Sequence, residues 1–411
     1  MSYKAPRRAD GGDLGGRSVV VIPNEDASDG IDPIIIACFS STQLYQDPVI
    51  AKGEGRSRIR LGIDMRTGAR YALVIRKDGP TATSFESSIT VLKKCAGPGV
   101  VKLVGSLTYS RVTKDGEQKK RMLVLPYYSG GSLMTALQTG KLTKEMQPAI
   151  AKAVVDAISR IHRCGFAHCD IKPENVLVEE WAVALADFEY AQKTKEPLTV
   201  CKGTVFYIAP ELTRVPLSVD AKANDLWALG ITLYSLFVRK HFLSRTCLGG
   251  FEGSDYERAF EYYLQSQGTS IEGTSIEQLR DEYGRESRRP STFANYVCKK
   301  YYYSVGAFCR LHLWDLDPSR YQKVINKCLE ASESDIPEAF RPVIAGCLRI
   351  KPTERVLPRS IAPSDPAAAA LPDMSPNDGK GPPTNFFCQF LDPKFPLFKH
   401  SPQIRGGQWP K

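Results

Sequence analysis

The stretch from His168 to Leu177, reading His-Cys-Asp-Ile-Lys-Pro-Glu-Asn-Val-Leu, constrains this chain more than any other. It sets a carboxylate (Asp170), an ammonium (Lys172) and a carboxamide (Asn175) on one short loop. Just before it, Met146 to Cys164 carries Ile150, Ala153, Val154, Ala157, Ile158 and Ile161 at three- and four-residue intervals, an apolar stripe that predicts a helix. Just after it, an apolar strand-like run leads into Asp187-Phe188-Glu189, which returns a second carboxylate.

Ahead of the loop the pattern is that of strands. Arg58 to Ile63, Tyr71 to Ile75, Val100 to Leu107 and Met122 to Leu125 are short and apolar or alternating, with turn residues such as Thr67-Gly68 between them. Ser87 to Cys95 reads as helical, and Ile34 to Phe39 as an added strand or clip. The expected organisation is α+β: a flexible arm over 1–43, a small β-rich lobe over 44–126, a larger, mainly helical lobe over 127–357, and a proline-rich tail over 358–411. Within the larger lobe, the tandem GTSIE at 268–272 and 273–277 is too short for a solenoid. It points to an inserted loop at about 249–320.

Composition narrows the setting. The chain has 411 residues, 42% hydrophobic and 24% charged, which is globular and sufficient for a large core. A net charge of +10 suits anionic partners such as nucleotides, acidic protein surfaces or membrane headgroups, and does not by itself indicate nucleic acid. Met1 to Asp13 lacks the apolar core of a secretory signal, and no apolar run approaches the roughly 20 residues that span a bilayer. Eleven scattered cysteines without a CxxC pair indicate neither a disulfide framework nor a zinc site. A reducing compartment, cytoplasmic or nuclear, is the expectation.

The 168–177 loop resembles the catalytic loop of eukaryotic protein kinases, in the form that Ser/Thr-type enzymes use. Three further matches follow in that family's order. Asp187-Phe188-Glu189 resembles the metal-binding DFG element, Gly203 to Glu211 the end of an activation segment, and Asp225 to Gly230 the start of a buried anchoring helix. Arg355 stands where the family pairs an Arg with the residue matching Glu211. The resemblance covers about residues 44 to 357. It implies a bilobal fold, ATP and Mg²⁺ as cofactors, and a protein substrate or scaffold partner. Asp170 would then orient the acceptor hydroxyl and Lys172 neutralise the γ-phosphate, while Asn175 and Asp187 hold the metal. Thr204 would support Asp170 and Lys172. Adenine would lie against Ala72, Leu177 and a hinge at Leu125 to Tyr128, where Pro126 offers a carbonyl and Tyr128 an N–H.

The resemblance weakens in the first lobe. Gly53-Glu54-Gly55 resembles a phosphate-covering loop, but Arg58 replaces its last glycine. Val74 stands where the family has a phosphate-binding Lys, and Ser88 where it has the Glu that pairs with that Lys. Glu189 replaces the Gly of DFG, and Cys169 replaces an Arg that in many kinases grips a phosphorylated segment. Kinases of the with-no-lysine group carry their phosphate-binding cation on the glycine-loop side, at a position similar to Arg58. Two readings stay open: a Ser/Thr kinase with an atypical ATP site, or a pseudokinase that binds nucleotide or scaffolds partners without phosphotransfer.

Overall fold

In the computed structural model the chain divides into two compact units, with the junction between Ser129 and Gly130. Of the first 57 residues the structure describes 18–22 and 34–38. From there it describes 58–357 with breaks at 65–66, 78–81, 114–115, 180–181, 200–201, 214–217, 243–252, 268–269, 287–291 and 302–304.

The first unit is built on one antiparallel sheet. Its strands are β1 (Ser18–Ile22), β2 (Ile34–Cys38), β3 (Arg58–Asp64), β4 (Arg70–Lys77), β6 (Gly105–Thr113) and β7 (Gly116–Pro126), in the order β1-β2-β3-β4-β7-β6. A two-residue strand, β5 (Gly99–Val100), precedes β6. Alternation along β4 decides its faces: Tyr71, Leu73 and Ile75 are buried with Met122 and Val124 of β7, while Ala72 and Val74 between them are only half-buried. The β3–β4 turn closes on Thr67-Gly68. Gly68 adopts φ +73 and donates to the Asp64 carbonyl, and the Thr67 hydroxyl donates to the Asp64 carboxylate at 2.6 Å. The unit's helix α1 (Ala82–Lys94) starts earlier than the Ser87 expected from sequence.

Three other expectations change here. Within the arm expected to be flexible over 1–43, the added strand expected from Ile34 to Phe39 is present as β2, paired with β3 through Ile36–Asp64, Ala37–Ile63 and Cys38–Gly62, and Ser18–Ile22 adds the unexpected β1 beside it. Runs of β-branched residues pair readily wherever a sheet edge is open. Val100 to Leu107 is not one strand but the end of β5, a connection, and the start of β6. Met122 to Leu125 is the end of the much longer β7.

The second unit is mainly helical. Its first helices are α2 (Leu133–Gln138), capped by the Ser132 hydroxyl, and α3 (Met146–Arg163), which buries Ile150, Val154, Ala157, Ile158 and Ile161. The loop after α3 leaves through β8 (Phe166–Ala167) and re-enters as the hairpin β9 (Val176–Glu179) and β10 (Ala182–Leu185). β11 (Gln192–Lys193) pairs back onto β8. Helix α4 (Ala221–Val238) is apolar nearly all round and lies at the centre of the unit. A Cβ at its Gly230 would come within 2.8 Å of Leu348, so glycine sets how closely α4 meets α10 (Arg341–Cys347).

The expected inserted loop is largely folded. Its described residues form α5 (Gly253–Gln267), the hairpin β12 (Ser270–Ile271) and β13 (Thr274–Ser275), α6 (Ile276–Arg285), α7 (Phe293–Lys300) and α8 (Ala307–Leu316), followed by α9 (Pro318–Ala331). The two GTSIE copies take different roles. In the first, Ile271 is buried in a strand; in the second, Ser275 caps α6 in a reciprocal capping box with Gln278. Among the described residues no helix is long and apolar enough to cross a membrane.

Candidate functional site

The chain turns sharply between β8 and the Pro173–Asn175 turn, and one backbone conformation and two side-chain contacts hold the turn. Asp225, fully buried at the start of α4, accepts from the backbone N–H of His168 (2.7 Å) and Cys169 (2.8 Å) and contacts His162 Nε2 (2.9 Å). Cys169 adopts φ +63, a left-handed conformation unusual for a residue with a side chain. The His168 ring packs 4.7 Å from Phe188, and its Nε2 lies 2.9 Å from the Ala186 carbonyl, which ties the loop to the Asp187 segment.

On this frame the sequence-selected residues meet. Oδ1 of Asp170 accepts from the backbone N–H and the hydroxyl of Thr204 (3.0 and 2.9 Å). Lys172 Nζ donates to that same hydroxyl at 2.8 Å and lies 3.2 Å from Asp170 Oδ2. The Asn175 amide donates to the Asp170 carbonyl (2.8 Å) and to its Oδ2 (3.1 Å). All four residues are buried, Lys172 completely. Gly203 permits the approach: at φ +97, a Cβ there would stand 2.7 Å from the Cys169 carbonyl. Asp187 heads the Phe188–Tyr190 turn at φ +61, with Phe188 buried beneath it.

Both amide protons of Asn175 go to Asp170, which leaves its carbonyl oxygen, a ligand type that hard cations take; Asp187 carries a carboxylate at the head of the following turn. The Cys169 thiol is pushed well up by burial, with Asp225 nearby adding to the shift, so it stays protonated and packs as a small apolar group.

In the first unit the selected residues stand as follows. Gly53 and Gly55 lie outside the described residues, as does the side chain of Arg58, whose backbone opens β3. The ladder sets Arg58 across from Ile75, and Ile59 across from Val74. Ala72 pairs with Leu125 on β7, and Pro126, paired with Tyr71, ends that strand. Ser88 is buried on α1, whereas Glu86 is exposed and reaches Arg121 at 3.7 Å. In the second unit Leu177 is half-buried between Val176 and Val178, both buried.

In the sequence, Asp225 reads as the start of a buried anchoring helix and Gly203 as the start of an activation-segment motif. The structure gives each a direct hold on the loop that carries Asp170. A lone Gly next to a Thr, and an Asp more than fifty residues from its partners, carry no local signal of such a role.

A β-rich first unit, a helical second unit and a buried Asp-Lys-Asn loop braced by Thr204 define a protein kinase. Residues 53–363 match the protein kinase domain family, most of the chain, and the chain belongs to that family, with its two-lobed α+β fold. It is similar to a serine/threonine-protein kinase of Drosophila persimilis, 34% identical over 196 residues, 45% of this chain and 24% of that protein. It is also 30% identical over 210 residues to a cAMP-dependent protein kinase, catalytic subunit-like, of Caenorhabditis elegans, 49% of this chain and 50% of that one. Maternal embryonic leucine zipper kinase of Xenopus laevis is 29% identical over 191 residues, 44% of this chain and 28% of that protein. The matched region spans half or less of each relative's length.

Proposed function

We propose that the chain is a Ser/Thr protein kinase that transfers the γ-phosphoryl group of ATP to protein hydroxyls from an atypical nucleotide site. The observation that carries this reading is the buried Asp170–Lys172–Thr204–Asn175 network. Two charges taken out of water cost several kcal/mol each unless well paired and hydrogen-bonded, and a module that only binds partners has no need of them there. Asp170, its oxygens held by Thr204 and Asn175, is placed to orient an acceptor hydroxyl and take its proton. Lys172 is placed to offset charge on the transferred group. Asn175 and Asp187 would hold Mg²⁺, which when bound would supply charge neutralisation at the phosphates. Ala72, Pro126, Tyr128 and Leu177 are proposed for adenine, and Gly53, Gly55 and Arg58 for the phosphates. The relatives' names support the hydroxyl class.

A second reading, a pseudokinase that binds nucleotide or scaffolds partners without transfer, is favoured by β4 and α1. Val74 and the buried Ser88 leave no Lys–Glu pair there, and Glu86 points to Arg121. Two substitutions separate the readings. Asp170→Asn is expected to abolish transfer and keep Mg·ATP affinity, and Asp187→Asn to weaken Mg·ATP binding itself. If Asp170→Asn loses binding as fully as transfer, Asp170 is a structural residue and the assignment fails.

A further inference from the structure

The helices of 253–316 carry a buried polar contact that phosphotransfer by the catalytic loop does not explain. His312 on α8 is 5% exposed, and Thr213, at the end of the Pro210–Thr213 turn, is 1% exposed. The His312 ring stacks on Tyr262 of α5, centroids 3.8 Å apart and planes within 7°, which fixes where its nitrogens point. Nδ1 lies 3.4 Å from the Thr213 hydroxyl. That hydroxyl already donates to the Pro210 carbonyl at 2.8 Å, so toward His312 it accepts, and the geometry assigns the proton to Nδ1. Burial keeps the imidazole neutral by lowering its proton affinity; Asp315 opposes this and Arg258 adds to it.

Thr213 ends a run that begins at the site. Thr204 holds Asp170, and its carbonyl accepts from Tyr207 and Ile208. The Ala209 N–H goes to Asn224, and Glu211 is locked by Arg355. We infer that His312 is a positioning residue for phosphotransfer: braced by Tyr262, it fixes Thr213 and thereby the far end of the segment whose near end, Thr204, orients Asp170. At 3.4 Å the contact is a weak bond, and the close stack on Tyr262 is what holds the ring in place beside Thr213. The folded insert then has a catalytic task, to hold the activation segment from outside.

The inference rests on the proposed kinase activity for its kinetic readout, and a second readout is independent of turnover. His312→Phe keeps a flat ring against Tyr262 and removes the N–H; Thr213→Val removes the hydroxyl and keeps the shape; Thr213→Ser keeps the hydroxyl. His312→Phe and Thr213→Val are each expected to lower kcat several-fold with KM for ATP unchanged. The double variant should lose no more than either alone, and Thr213→Ser should stay near wild type. Amide exchange over 204–213 should rise in both single variants, whether or not the wild type turns over. If the wild type transfers no phosphate, the kinase reading falls and the exchange data alone decide the contact. Unchanged exchange over 204–213, a lowered melting temperature with unchanged kcat, or additive losses in the double variant would each overturn the inference.

Discussion

Asp170 receives two bonds from Thr204 and one from Asn175, and its carboxylate lies beside Lys172, so protein groups hold both of its oxygens. Preorganisation of this kind is what positioning catalysis requires. Neighbouring Cys169 is the opposite case, a residue in a strained backbone position with nothing reactive about it. Because its thiol is buried and pushed up, iodoacetamide at neutral pH should modify exposed Cys164 in the native protein and reach Cys169 only after unfolding. Native labelling of Cys169 at the rate of Cys164 would show the loop opening in solution. That Asp170, Lys172, Asn175 and Thr204 would come together was legible from the resemblance of 168–177 and 203–211 to kinase motifs, and the hydrogen bonds among them bear out that meeting. The holds supplied by Asp225 and Gly203 were not, since they exist only once α4 and the 203–211 segment fold against the loop.

At the level of elements, periodicity located α3, β4 and the Thr67-Gly68 turn well, because each has one buried face or one demanding backbone position. It failed over 253–316, where a repeated pentapeptide and a charged stretch masked helices defined by sparse buried residues such as Phe260, Leu279, Val297 and Trp314. The unsettled element is the start of β3. Arg58 is proposed to supply the cation that β4 lacks, but the ladder places Ile59, not Arg58, across from Val74. Arg58 therefore has to act from the strand's first residue, three positions after Gly55 in sequence, and not as an in-register replacement. If it does, Arg58→Ala weakens Mg·ATP binding or transfer by about 1.5–3 kcal/mol, as expected for a charged contact, while Arg76→Ala changes little. Indistinguishable titrations for wild type and Arg58→Ala would remove Arg58 from the site and move the balance toward binding without transfer.

Across the whole molecule, the second unit depends on one pair far apart in sequence. Arg355 grips Glu211 through two bonds, 2.5 and 2.7 Å, donates to the carbonyls of Ala223, Arg349 and Ile350, and sits 5.1 Å from the Trp227 ring. Arg355→Ala strands a buried carboxylate and should cost about 3–5 kcal/mol, read as a shifted denaturation midpoint with unchanged slope. A loss below about 1 kcal/mol would mean that water or another cation satisfies Glu211. Such stability would hold the 203–211 segment, and with it Thr204, against the loop on which the proposed phosphotransfer depends. The most direct test incubates the purified 411-residue chain with labelled ATP, Mg²⁺ and serine- and threonine-containing acceptors, beside Asp170→Ala, and counts the phosphoamino acids formed. A Ser/Thr kinase of this kind yields phosphoserine or phosphothreonine from the wild type and none from the variant; ATP bound by the wild type without any label transferred, or equal label from both, would contradict the proposed activity.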